Sequence, residues 1–171
     1  DEFHDKSILF VGRVSCMTTE EEIEEFGEVC RALLANETRV MILLESAGTK
    51  EEQRRIAALY RLAARGKIAG EGISAPHELS PQASEDFLLM QMWSVLRIAP
   101  LFIGLWPSLS EKSLLQCAQQ IATRLKVYKL VVLDPAGGIA TGGSPISFMN
   151  GPVLSELLRQ GEAEWAGLGE R

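Results

Sequence analysis

A three-layer α/β sandwich around a mainly parallel sheet is the fold class this sequence predicts. Segments of strand length alternate with segments of helical period at least four times, and the strand segments are continuous apolar runs, not in-out alternations. A strand covered on both faces needs apolar residues at successive positions, which is the condition of a parallel sheet with helices on each side. Size sets a third bound. With 171 residues, 46% of them hydrophobic, the chain can bury one sizeable core, and residues 1–171 read as a single domain.

The elements follow in order. "SILFVGRV" (7–14) is a first strand, and Ile23, Phe26, Cys30, Leu33 and Leu34 then recur at helical spacing. Thr18 and Thr19 stand three residues before Glu21 and Glu22, the spacing at which hydroxyl and carboxylate satisfy the free N–H groups of a helix start. "RVMILLE" (39–45) is a second strand; Thr49 and Glu52 repeat the capping spacing before a helix carrying Ile56, Leu59, Tyr60 and Ala63. Residues 66–80 mix glycine, proline and polar residues and form a connection with room for one short extended piece.

Ser80-Pro81 opens a helix to about Arg97, cap followed by proline at the first helical position. Its "FLLMQMWSVL" core is apolar around nearly the whole circumference, so several sides are buried, and a homo-oligomer through helix 81–97 is expected. "PLFIGLW" (100–106) is a third main strand. Ser108 with Glu111 gives another capping pair ahead of Leu114, Cys117, Ala118, Ile121 and Leu125. "YKLVVLD" (128–134) is a fourth strand, "ISFMN" (146–150) a short fifth, and "GPVLSELLRQG" a last helix. Trp93 and Trp106 are both expected to fill the core.

Charge and composition exclude several function classes. A net charge of −6 and a pI near 5.0, with no long Lys/Arg run, argue against nucleic acid as a partner. The longest apolar stretch is broken by Arg97 and Pro100 before it reaches the roughly 18 to 20 residues of a membrane helix, so no membrane partner is expected. The acidic start "DEFHDKS" is unlike a signal peptide. Three cysteines, Cys16, Cys30 and Cys117, form no C-x-x-C pair and suit a reducing cytoplasm. Two histidines, His4 and His77, are too few for a His-rich metal site.

Ligands of such sheets bind beyond the carboxyl ends of the strands, here the loops beginning at Gly12, Glu45, Trp106 and Asp134. The most glycine-rich of these is "LVVLDPAGGIATGGSP" (130–145). It is not a P-loop, because no lysine follows Gly137, Gly138, Gly142 or Gly143 to reach a phosphate. It is not a dinucleotide fingerprint either, since Ser144-Pro145 and the β-like "ISF" follow where a helix would start. Asp134 can hold a magnesium ion or a substrate amine, or simply accept N–H bonds from the turn it begins.

A strand, "LDPAGGI", a second loop, a short strand and an acidic helix together resemble the carboxyl half of the amino-acid-kinase fold. The stretch from "LRIAPLFIGLWPS" through "LLQCAQQIATRLKVYKLVVLDPAGGI" is most similar to the kinase-like domain of N-acetylglutamate synthases. The resemblance extends over most of 7–160 as an order of elements and is specific around 98–150. It implies a shortened amino-acid-kinase-like domain with roles in arginine biosynthesis, namely subunit assembly and arginine sensing.

The departures from that family bear directly on chemistry. Active kinases of the superfamily carry K-x-G-G at the end of the first strand, where lysine and backbone N–H groups stabilise the transferring phosphoryl group. The matching stretch here is Phe10-Val11-Gly12-Arg13, and the second glycine cluster matches Glu45-Ser46-Ala47-Gly48, whose carboxylate would repel phosphates. Arg13 is the one cation near the position, and a plain surface arginine is the simpler reading. The resemblance therefore implies a pseudokinase: no catalytic residue, no metal ligand and no cofactor are assigned to this chain. Candidate ligand-binding residues are Gly12, Arg13, Gly48, Asp134, Gly137 and Gly138. The acetyl transfer of such synthases belongs to a separate acetyltransferase domain, for which "GEAEWAGLGER" leaves no room in this chain and which is the implied partner. One alternative is a small-molecule kinase using Mg-ATP on a carboxylate or acylamino acid, with a rebuilt site around Gly12, Arg13, Asp134 and Gly137. Another is a protein-interaction module presenting the apolar helix.

Overall fold

The computed structural model describes residues 6–64, 77–78, 85–108, 113–133, 140–141 and 144–145. The chain divides into two compact units, Asp1–Asp134 and Pro135–Arg171. In the first unit, strands β1 (Ser7–Arg13), β2 (Arg39–Ser46), β3 (His77–Glu78), β4 (Leu101–Pro107) and β5 (Lys129–Val132) form one sheet of order β3-β4-β2-β1-β5. Every pairing in it is parallel. Helices α1 (Glu20–Ala35), α2 (Lys50–Ala63), α3 (Glu85–Leu96) and α4 (Leu114–Arg124) lie between the strands in the chain. In the second unit, β6 (Ala140–Thr141) pairs antiparallel with β7 (Ser144–Pro145).

The continuous apolar runs are explained by the two layers they feed. Ile8, Phe10, Val40, Ile42, Leu44, Leu101 and Ile103 pack with Ile23, Cys30 and Leu34 of α1 and Ile56, Leu59 and Ala63 of α2. The intervening residues Leu9, Val11, Met41, Leu43 and Phe102 pack with Leu89, Met92 and Leu96 of α3 and Cys117, Ala118 and Ile121 of α4. Successive side chains of a strand point to opposite faces, so each run supplies both cores at once. This is the three-layer α/β arrangement expected from the sequence. The predicted 66–80 connection contains one short extended piece, β3.

α1 and α2 pack especially closely. A Cβ on Gly27 of α1 would come within 2.6 Å of the Leu62 Cβ, so only glycine allows the two backbones to approach this far. The Phe10 and Phe26 rings meet edge to face at 5.1 Å between centroids. Cys30 lies in this core, and burial pushes its thiol up to about 12, which keeps it protonated and inert.

Three expectations about individual elements need correction or fall outside what is described. α4 is capped by Ser113, whose hydroxyl accepts from the Gln116 N–H while the Gln116 side chain accepts from the Ser113 N–H, not by Ser108. Strand β4 runs on to Pro107, and the Ser108 N–H is taken by the Ser46 carbonyl at 3.1 Å. Trp106 is buried as expected, but Trp93 is 54% exposed on α3 and does not fill the core. Glu111, Ser80-Pro81 and the strand and helix read from 146–161 lie outside the described residues.

Candidate functional site

The carboxyl edge of the sheet is the natural place for a ligand. β2 continues into α2 of one layer, whereas β4 leads to α4 of the other, so the chain diverges between their carboxyl ends. That divergence is where open α/β sheets form a binding crevice. Here the Ser108 N–H donates to the Ser46 carbonyl and ties the two strand ends together. Gly12 and Arg13 of β1 stand in register with Leu44 and Glu45 of β2, so the first strand end flanks the same edge.

The β1-to-α1 and β2-to-α2 turns at this edge each end in a helix whose N-terminus is closed by its own glutamate. Before α1, the Thr18 N–H, the Thr18 hydroxyl and the Thr19 N–H donate to Glu22 Oε2 at 2.7, 2.9 and 2.9 Å. The Thr19 Oγ1 in turn accepts from the Glu22 N–H at 3.2 Å. Donation from the Thr19 backbone, then from the Thr18 hydroxyl and backbone, holds the Glu22 carboxyl below its ordinary value. Before α2 the pattern repeats: the Ser46 hydroxyl, the Ala47 N–H and the Thr49 N–H donate to Glu52 Oε2 at 3.1, 2.9 and 3.2 Å. The Ser46 hydroxyl also accepts from the Gly48 N–H at 3.0 Å. Gly48 has φ +75°, a conformation that disfavours side chains, and this lets the turn fold its N–H back. The N–H groups of Thr18, Thr19, Ala47 and Thr49, in the turns leading into these helices, already serve glutamates.

The candidate residues are placed as follows. Gly12 is filled by packing: a Cβ there would meet the Leu133 Cβ at 2.8 Å, and the Leu133 N–H donates to the Val11 carbonyl at 2.7 Å. Arg13 reaches sideways to Glu45, Nε to Oε2 at 3.1 Å, with the arginine 57% and the glutamate 22% exposed. Gly48 is open, with nothing within 4 Å of a Cβ position. The fold thus brings Gly12, Arg13 and Gly48 to one edge. Asp134, Gly137 and Gly138 lie outside the described residues.

Comparison with models of protein families, with curated proteins and with solved structures gives no match to this chain.

Sequence reasoning missed two features of this edge. The Arg13–Glu45 pair depends on strand register, which β1 and β2 reach only by pairing side by side. The part of Ser46 in the Glu52 network was also missed, although the T-x-x-E spacing at Thr49 had already located that carboxylate. Among the described residues, no three of His, Cys, Asp and Glu gather as a metal site requires, and no helix is long and apolar enough to cross a membrane.

Proposed function

We propose that this chain is a catalytically silent amino-acid-kinase-like domain of the N-acetylglutamate synthase type, serving assembly and arginine-linked regulation of an amino-acid N-acetyltransferase in the cytoplasm. The observation that carries the silent character is the pair of self-capped helix starts. A phosphate drawing on the N–H groups of these turns would have to displace the Glu22 or Glu52 carboxylate, and any anion at these helix starts would sit beside negative charge. Arg13, the cation in the best position to offset that charge, is already engaged by Glu45. Cys16, Cys30 and Cys117 as thiols suit the reducing compartment. The family assignment itself stands on the "LDPAGGI" resemblance.

Calorimetric titration of the whole chain with Mg-ATP, then with L-arginine in the same cell, tests this reading. The expected result is no heat with the nucleotide and saturable binding of arginine. Micromolar binding of Mg-ATP would overturn the silent role and bring forward the small-molecule kinase. A second reading, an interaction module, is favoured by one specific observation: Met90 and Trp93 of α3 and Ile98 after it are 62%, 54% and 75% exposed.

A further inference from the structure

The ends of three neighbouring strands line up a base, an acid and a buried indole. Arg13 at the end of β1 is the register partner of Glu45 on β2, and Glu45 is the register partner of Trp106 on β4. Alternate residues of a strand share a face, so Arg13 stands on the side of Leu9 and Val11, and Glu45 on the side of Met41 and Leu43. Trp106 is buried in the core of that same side. The row lies at the carboxyl edge, where the chain diverges into two helical layers.

The ion pair in this row uses only part of each group. Arg13 Nε donates to Glu45 Oε2 at 3.1 Å, and among the described residues neither side chain makes another bond. An exposed pair of this kind contributes at most about 1 kcal/mol to stability, so its interest lies in what it presents. A guanidinium engaged through Nε keeps its two terminal amino groups, the fork that takes a carboxylate with parallel bonds. A carboxylate engaged through Oε2 keeps Oε1 to accept from an ammonium.

The charges select the ligand. A phosphate on Arg13 would lie against Glu45, and a simple amine on Glu45 would lie against Arg13, so each is attracted by one partner and opposed by the other. A molecule whose carboxylate and ammonium sit on one carbon is opposed by neither, and a free α-amino acid has that arrangement. We infer that Arg13 and Glu45 bind the α-carboxylate and the α-ammonium of a free amino acid. This rests on the arginine-linked regulation proposed above and names the two side chains that recognise the effector's main-chain groups.

Calorimetric titration of the whole chain with L-arginine, L-glutamate and glycine tests the site, together with two arginine analogues. Agmatine lacks the carboxylate, and the deamino acid lacks the α-ammonium. Circular dichroism checks the fold of each variant. L-Arginine is expected to bind saturably, and each analogue about tenfold or more weakly, as loss of one charge-assisted hydrogen bond predicts. R13Q should remove the preference for L-arginine over agmatine, and E45Q the preference over the deamino acid, each to within about twofold. Binding of no amino acid, L-arginine binding that R13Q and E45Q leave unchanged, or an equal loss for every ligand would each overturn the site. These outcomes separate from those of the proposed function. Arginine bound without regard to R13Q or E45Q defeats the site alone. L-Glutamate or glycine bound by wild type and lost in both variants, with L-arginine ignored, defeats the arginine link alone, and binding of Mg-ATP defeats the silent role alone.

Discussion

The two helical layers that enclose the sheet are finished differently. The α1–α2 layer is closed against itself: Gly27 seats Leu62, Phe26 meets Phe10, and both helix starts are held by their own glutamates. In the opposite layer α3 packs one stripe and leaves Met90 and Trp93 in solvent. A helix apolar all round that lies on only one side of a sheet has surface left for another molecule, whereas an amphipathic helix with charged outer positions does not. The difference teaches where to look for each property. Tight packing and helix capping concentrate under α1 and α2, and exposed apolar surface belongs to α3.

Substitutions of similar size on the two layers should separate most clearly. Gly27→Ala gains about 1 kcal/mol in helix propensity but forces a methyl against the Leu62 Cβ, and overpacking costs about 1–3 kcal/mol, so a net loss of about 1 kcal/mol, and at most about 2, is expected in urea unfolding. Ser94→Ala on the outer side of α3 should stay within about 0.5 kcal/mol of wild type in the same measurement. A loss as large at Ser94 as at Gly27 would break the contrast between the layers.

Next in size is the cap of α2. Thr49→Ala removes the side-chain acceptor for the Glu52 N–H and should cost about 1 kcal/mol, measured by thermal unfolding. The smallest effect is a dependence on acid. The Glu22 carboxyl is lowered in the folded chain, so its contribution to stability is fully present above the ordinary glutamate value of 4.5 and is lost as pH falls through the lowered one. Glu22→Gln should flatten that part of the stability profile between pH 4.5 and more acid values, and an unchanged profile would show that the carboxylate does not hold the α1 start.

Much of this architecture was legible because it is local or periodic. The apolar runs marked the long strands, and the T-x-x-E spacing found both glutamate caps, since hydroxyl and carboxylate must lie three residues apart to reach each other's N–H groups. The start of α4 was misread because the same kind of spacing occurs twice within a few residues, at Ser108/Glu111 and at Ser113/Gln116, and pattern alone does not choose between them. What decided it was a long-range bond, from the Ser108 N–H to the Ser46 carbonyl. Trp93 was assigned to the core because composition gives a helix's apolar extent but not how many neighbours cover it. At the candidate site, Gly12 read as a glycine with backbone freedom, while its fit to Leu133 joins residues from opposite ends of the unit.

That fit has a bearing on biogenesis. Among the described strands of the sheet β1 comes first in the chain, and its outer neighbour β5 comes last. From Ile8 to Val11 its hydrogen-bonding edge is matched only by residues 129–132. β2 pairs with one side of β1 across the α1 crossover, whereas the partner of the other side, β5, follows α4 far along the chain. A bare apolar strand edge is a template for misassociation, and late pairing between remote segments is slow. Seating Leu133 over Gly12 therefore joins two segments far apart in the chain, and a chain ending before residue 129 would leave that edge of β1 without its partner strand.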